Sequence, residues 1–136
     1  MANEFVGSSL VGTWTTSTGT TTFTTDARNF TFTPTVAFVD ATAGADTAIQ
    51  RIQSFKDSTV TTDILMTDNI GSATMVEYTE GKIGTLVWGE AGTAGGKLKT
   101  TLPAICQGAN RAVPYNDVVT LSISWMGNGA YTIGTY

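Results

Sequence analysis

Side chains able to perform catalysis are few in this sequence. The chain has 136 residues, no histidine and a single cysteine, Cys106. A serine or cysteine nucleophile is activated by a neighbouring base, most often histidine, so Ser-His-Asp and Cys-His arrangements are excluded. Asp57 with Asp63, or Glu77 with Glu80, could form the acid pair of a glycosidase, but such pairs also arise by chance in soluble proteins. We therefore expect a protein that is not an enzyme.

Neither a metal site nor a phosphate cradle is indicated. One cysteine without histidine leaves too few ligands for zinc. The Asp-x-Asp spacing of a calcium loop is absent, and the glycine-rich residues 89–96 lack the Gly-Lys-Ser/Thr ending of a P-loop. Cys106 lies in an apolar run, which predicts a buried, inert thiol that has no partner for an intrachain disulfide. We expect no cofactor and no metal.

The charge distribution argues against tight binding of nucleic acid. The formal net charge is −4. Binding a phosphate backbone needs clustered lysine and arginine. The basic residues are instead scattered along the chain, at Arg28, Arg51, Lys56, Lys82, Lys97, Lys99 and Arg111. An acidic surface of this kind still lets nucleic acid slide past it.

Charged residues make up only 13% of the chain, whereas about a quarter is usual in soluble domains. An uncharged polar surface repels its own copies weakly and suits packing against other subunits. The many threonines also follow from β-propensity, so half-exposed strand faces explain them as well. No secretory signal and no apolar stretch of membrane-spanning length is evident, so we expect synthesis in a cytoplasm and no membrane contact.

The tryptophans leave one other binding function open. Trp14, Trp88 and Trp125 could line a sugar-binding face, which makes a carbohydrate-binding module an alternative. Trp88 and Trp125 lie in strong strand patterns, however, where tryptophan usually packs in a core or at an interface. The rings therefore favour packing over sugar binding.

Alternation of apolar and polar residues predicts a mainly β protein. The pattern is clear over residues 60–66 and 118–126, and residues 83–89 are apolar on both faces, as in a strand buried on both sides. Gly127, Asn128 and Gly129 predict a hairpin turn. We count about seven strands in one domain, residues 1–136, arranged as a β-sandwich or small barrel.

One segment has helical spacing. It predicts an α-helix that begins at about Gly44, ends at about Phe55 and flanks the sheet, with Thr42 as its N-cap and Asp46 in its first turn. A second, short helical turn is compatible with residues 73–78. The apolar stripe of the longer helix comprises Ala45, Ala48, Ile49, Ile52 and Phe55.

From about Asp26 to the end, the chain resembles the tail tube (major tail) proteins of long-tailed bacteriophages. The resemblance lies in the order and spacing of several stretches and covers about three quarters of the chain. The first 25 residues do not share it. The stretches are RNFTF at 28–32, VDATAGADT at 39–47, FKDST at 55–59, YTEGKIGTLVW at 78–88, EAGTAGGK at 90–97, LPAI at 102–105 and VPYNDVV at 113–119.

The resemblance implies a sandwich or barrel with a flanking helix, assembled as homohexameric rings that stack into a hollow tube for genome passage. Neighbouring subunits would join their sheets around the lumen, and extended arms or loops would bridge the rings. The partners would be other copies, other phage tail proteins and DNA that passes without specific binding, all in the virion tail. Another virion structural role, capsid decoration or head–tail joining, is the alternative.

By the same analogy, a flexible N-terminal segment of about residues 1–18 and the loop at 89–96 are expected to make contacts between rings. Acidic residues facing the lumen would repel phosphate and keep sliding friction low. The candidate inter-subunit contacts are Phe5, Trp14, Trp88, Glu90, Thr93 and Lys97.

Overall fold

The computed structural model describes residues 9–22, 27–66 and 71–136. Within these ranges the chain forms eight strands and one short helix, which confirms the mainly β class. The elements, in chain order, are β1 Val11–Thr16, β2 Gly19–Thr22, β3 Ala27–Asp40, β4 Arg51–Leu65, α1 Ser72–Glu77, β5 Ile83–Gly89, β6 Leu98–Ala112, β7 Thr120–Gly127 and β8 Thr132–Thr135.

All eight strands belong to one open antiparallel sheet, in the order β2-β1-β5-β6-β7-β4-β3, with β8 paired to the start of β6. Strand β6 pairs with different strands along its length. Its first half pairs with β5 up to Ile105, and its second half pairs with β7 from Ala104 to Ala112. A register shift falls between Cys106 and Gly108, where Gly108 has φ +139°, a conformation that side chains with a Cβ rarely adopt. β6 thereby links two parts of the sheet.

The sheet curls so that its ends share one core. Trp14 of β1 contacts Trp125 of β7 with ring centroids 5.6 Å apart, although β5 and β6 separate their strands. Phe30 and Phe32 of β3 likewise contact Trp88 of β5 at 5.1 and 5.0 Å. The expected sandwich or barrel is therefore one continuous sheet that folds over itself, and the predicted burial of alternate positions in 60–66 and 118–126 is confirmed.

The predicted helix at 44–55 is wrong. Residues 51–55 belong to β4 and residues 41–50 form the loop between β3 and β4. Ile49, Ile52 and Phe55 are 60%, 60% and 88% exposed, so the apolar stripe has no core to cover. Helical spacing alone cannot tell a buried stripe from apolar residues on a hairpin, and a short helix needs that burial to form.

Polar side chains of the loop stabilise the hairpin turn instead. Thr42, the expected N-cap, accepts a hydrogen bond from Gln50 N at 2.9 Å, and Ala41 N donates to Gln50 O at 2.9 Å. Asp46 accepts from Ala43 N at 2.7 Å. The short helical turn expected near 73–78 is present as α1.

The N-terminal segment, about residues 1–18, was expected to be flexible, but its described part includes a strand. Residues 11–16 form β1, which pairs with β2 and with β5. Trp14 is fully buried there, because the alternation of β1 places it against the core. Residues 1–8 lie outside the described residues.

Candidate assembly surfaces

The predicted contact residues occupy different environments. Trp14 and Trp88 have no exposed surface, so their side chains contact their own subunit. Trp14 Nε1 donates to Glu77 O at 2.7 Å, and Trp88 Nε1 donates to Glu90 Oε1 at 2.8 Å. Phe5 lies outside the described residues. The full burial of Trp125 as well removes the ring faces that a sugar-binding surface would need.

The loop between β5 and β6 brings together the other three. Glu90 is half-buried beneath Trp88, whereas Thr93 and Lys97 are exposed. Tyr136 holds this loop in place, because Gly96 N donates to Tyr136 O and Tyr136 N donates to Lys97 O, both at 2.9 Å. The loop therefore presents Thr93 and Lys97 on a surface fixed by hydrogen bonds.

The hairpin of β3 and β4 projects beyond the rest of the sheet. Strand β7 pairs with β4 only from Thr59 to Leu65, so residues 34–40 and 51–58 pair with each other alone. We call residues 34–57 the arm. A two-stranded ribbon is marginally stable alone in water, and this one exposes large apolar side chains. Those side chains are Phe38 (56% exposed), Val39 (55%), Ile49 (60%), Ile52 (60%) and Phe55 (88%).

The outer side of β3, β4, β7 and the second half of β6 carries small polar residues, which the strand register aligns in rows. We call this surface the polar face. One row across the strands is Asn29, Asp63, Ser122 and Asn110. A second row is Thr31, Thr61, Ser124 and Gly108.

Asp63 is the one charged side chain in these two rows. Ser122 Oγ donates to its carboxylate at 2.7 Å and Asn29 Nδ2 donates at 2.8 Å. These two hydrogen bonds, helped by the charge of Arg28, lower the pKa of Asp63 from its ordinary value. The polar face is thus hydroxyl-rich and holds a stable negative charge.

A buried carboxylate joins α1 to the β1–β2 hairpin. Glu77 is 6% exposed and accepts hydrogen bonds from the hydroxyls of Thr16 and Thr18, the latter at 2.7 Å. Lys82 Nζ donates to Thr18 Oγ1 at 3.1 Å. The Thr16 and Thr18 hydrogen bonds, with a smaller contribution from the Lys82 charge, lower the pKa of Glu77. We call this arrangement the Glu77 clamp.

Chemically reactive arrangements are not found among residues 9–22, 27–66 and 71–136. No group of three or more His, Cys, Asp or Glu side chains in those ranges could hold a metal ion. The predicted burial of Cys106 is confirmed, since the residue is 1% exposed and burial raises the pKa of its thiol. No helix in that part of the chain has the length and apolar character needed to cross a membrane.

Sequence reasoning missed both the arm and the polar face. Three apolar residues of the arm, Ile49, Ile52 and Phe55, were assigned to a helix. The polar face depends on register between strands far apart in sequence, although the Thr and Ser residues that alternate with apolar ones in 59–63 and 120–124 were a signal for it.

The chain matches no protein-family model and no curated protein sequence. Solved structures do resemble it. A chain in the tail of the empty GTA particle, refined with C6 symmetry, superposes with a TM-score of 0.72 at 10% identity, over 97% of this chain and 100% of that one.

Two structures of the anti-feeding prophage are also similar. A chain of its six-fold symmetrised baseplate gives a TM-score of 0.69 at 8% identity, over 99% of this chain and 98% of that one. A chain of its tube-terminating cap gives 0.69 at 11% identity, over 100% and 94%. The chain therefore shares its fold, over almost its whole length, with chains of the GTA tail and of the anti-feeding prophage baseplate and cap.

Proposed function

We propose that this chain is a virion structural protein that self-assembles into stacked homohexameric rings, forming the hollow tail tube of a long-tailed bacteriophage. The observation that carries the proposal is the shared fold with a chain of a C6-symmetric particle tail, over almost the whole of both chains. The apolar arm supports it, because such a surface requires a partner. The role is structural and not enzymatic.

Ring formation is supported by the borders of the polar face. Strand β3 is the last strand of the sheet order at one border. At the other, β5 pairs with β6 only up to Ile105, so residues 108–112 of β6 pair with β7 on one side only among the described strands. Edge strands offer backbone groups for pairing with another chain. Joining β3 of one subunit to the end of β6 in the next produces one continuous sheet around a ring.

In such a ring the polar face lines the lumen, and DNA passes it without specific binding. Hydroxyl and amide side chains hold water, and lysine and arginine are absent from the two rows. Phosphates are repelled by Asp63, whose hydrogen bonds keep it ionised. This chemistry gives low friction to a moving polyanion, since Arg28, which borders these rows, lies next to the Asp63 carboxylate and is offset by it.

Contacts between rings then involve the arm and the β5–β6 loop. Thr93 and Lys97 are exposed on this loop, with Glu90 beside them. Other tail proteins are the remaining partners, at the two ends of the tube, and the subunit is made in the host cytoplasm before incorporation in the virion.

A terminal ring of a tail is the second candidate. Chains from a baseplate and from a tube-terminating cap have the same TM-score, 0.69, to this chain. A terminal subunit forms single rings, whereas a tube subunit adds ring upon ring. Capsid decoration or head–tail joining is a weaker alternative, without an observation that favours it.

Electron microscopy of the purified, concentrated protein tests the proposal. Hollow tubes of uniform diameter with six subunits per ring are expected. Single rings at every concentration would favour the terminal-ring role. Monomers alone, both with and without a preformed tail initiator, would contradict the proposal.

A further inference from the structure

One exposed segment interrupts the pairing along β6. Strands β7 and β8 pair in turn with residues 104–112 and 98–101 of β6, so residues 128–131 lie between two strands that follow the same edge. Across from them is Pro103, which has no N–H group to donate to a ladder. Asn128 N donates to Pro103 O at 2.8 Å. Residues 128–131 therefore form a bulge in this line of strands, and not the hairpin turn that their residue types predict.

The bulge contains the one Asn-Gly pair of the sequence, Asn128 and Gly129. Both residues are exposed. Within the described part of the chain, the Asn128 side-chain amide has no hydrogen-bond partner and Gly129 N donates to no acceptor. Gly129 N belongs to the peptide bond that follows Asn128, so its attack on Cγ of that side chain closes a five-membered ring. The amide and the backbone nitrogen are both available for this reaction.

Glycine at position 129 favours ring closure and is also required by the fold. Gly129 has φ +143°, a conformation that residues with a Cβ rarely adopt. The absence of a Cβ also leaves its nitrogen unshielded and lets the backbone rotate towards the preceding side chain. The bulge thus keeps, next to Asn128, the residue that makes an asparagine most reactive.

We propose that Asn128 is a site of spontaneous deamidation. Hydroxide removes the proton of Gly129 N, which attacks Cγ of Asn128. The new N–Cγ bond forms, the Cγ–Nδ2 bond breaks, and the leaving nitrogen takes a proton from water and departs as ammonia. Water then opens the succinimide ring. Opening at Cγ gives aspartate, and opening at the backbone carbonyl gives isoaspartate, whose main chain runs through Cγ. No atom is oxidised or reduced, and water is the co-reactant.

Either product changes this part of the surface. Both add a negative charge at the bulge, and isoaspartate also adds a carbon to the main chain just before Tyr131. The Tyr131 ring contacts the Phe32 ring edge-on at 5.2 Å, so the longer link strains a contact with the core. The reaction needs only the folded subunit, and the inference is therefore independent of the proposed tube.

Incubation of the purified, unassembled chain at increasing pH tests the inference. Ion-exchange chromatography should show an acidic form with one additional negative charge, and peptide mapping by mass spectrometry should locate it at Asn128. The reaction should be faster at higher pH, because the nucleophile is the deprotonated nitrogen. Isoaspartate should be present and identifies the succinimide route, since direct hydrolysis of the amide gives aspartate alone. Asn116 is the internal control, because it is equally exposed in a turn but is followed by Asp117.

The matched variant is Asn128→Gln, in which the longer side chain would have to close a six-membered ring. It should fold normally, because position 128 is exposed, and should lose the acidic form. The inference would be overturned by an unmodified Asn128, by equal modification of Asn116, or by an acidic form that persists in Asn128→Gln. Much slower reaction of Asn128 in the folded chain than in the urea-unfolded chain would also overturn it, by showing that the bulge shields Gly129 N.

Discussion

Truncation of one arm residue, Ile52→Ala, isolates the contribution of the arm to assembly. Ile52 is 60% exposed in the subunit. Burying a whole isoleucine side chain is worth about 1.5–3 kcal/mol, so burial of the exposed part in an interface contributes about 0.9–1.8 kcal/mol. Because about 1.4 kcal/mol corresponds to a tenfold change in an equilibrium constant, the critical concentration for assembly should rise about 5- to 20-fold.

The folded subunit should hardly respond. Ile52 lies outside the core, and substitutions at such positions usually change the free energy of unfolding by less than about 0.5 kcal/mol. Thr61→Ala is the matched control, since Thr61 is exposed on the same strand but belongs to the polar face. It should leave the critical concentration within about twofold of the wild-type value.

Sedimentation across a concentration series measures the critical concentration, and urea unfolding of the unassembled subunit measures its stability. The reasoning would be refuted by an unchanged critical concentration for Ile52→Ala. It would equally be refuted if both variants raised that concentration alike, because the effect would then not depend on the arm.

Three further outcomes follow from other parts of the fold. The hydrogen bonds of the Glu77 clamp lower the pKa of Glu77, so the clamp stabilises the folded state fully above the ordinary glutamate pKa of 4.5, and this stabilisation is lost as the pH falls through the lowered value. The urea midpoint of Glu77→Gln should therefore fall less than that of the wild type as the pH is lowered. Parallel pH curves for the two proteins would exclude a stabilising role of the clamp. Gly84→Ala places a Cβ 2.2 Å from Thr15 O and should cost about 3 kcal/mol or more in unfolding free energy, whereas a loss below about 0.5 kcal/mol would contradict this geometry. Asp63→Lys in phage tails should slow DNA ejection, measured against Asp63→Asn, and equal rates would count against a lumen position.

Sequence periodicity predicted the parts of the fold that depend on local alternation. The strand at 118–126 followed from apolar residues spaced by two, and the burial of Cys106 followed from the apolar run in which it lies. Periodicity failed where a surface has no core behind it. In the arm, Ile49, Ile52 and Phe55 have helical spacing but lie in a hairpin, because Thr42 and Asp46 form the hydrogen bonds of a turn.

Contacts between distant segments were the least predictable. Trp14 and Trp88 were named as candidate inter-subunit contacts, and the pattern around Trp88 fitted a core position equally well; the curl of the sheet places both rings in the core. No short-range pattern encodes that curl, because it depends on pairing between strands that are far apart in sequence, such as β6 with β5 and with β7. The row of Asn29, Asp63 and Ser122 likewise exists only once the strands are in register.

In the proposed tube, the arm and the polar face contribute differently to assembly because their chemistry differs. The polar face cannot drive association, because its hydroxyl and amide groups are already well hydrated and burying them yields little net free energy. The arm exposes Phe38, Val39, Ile49, Ile52 and Phe55, and removing each of these side chains from water lowers the free energy. In the proposed tube, the favourable free energy of assembly therefore comes from burial of the arm, together with pairing at the strand edges. In that tube the polar face is left to line the water-filled channel, and we expect its sequence to change without loss of assembly as long as it remains uncharged or acidic.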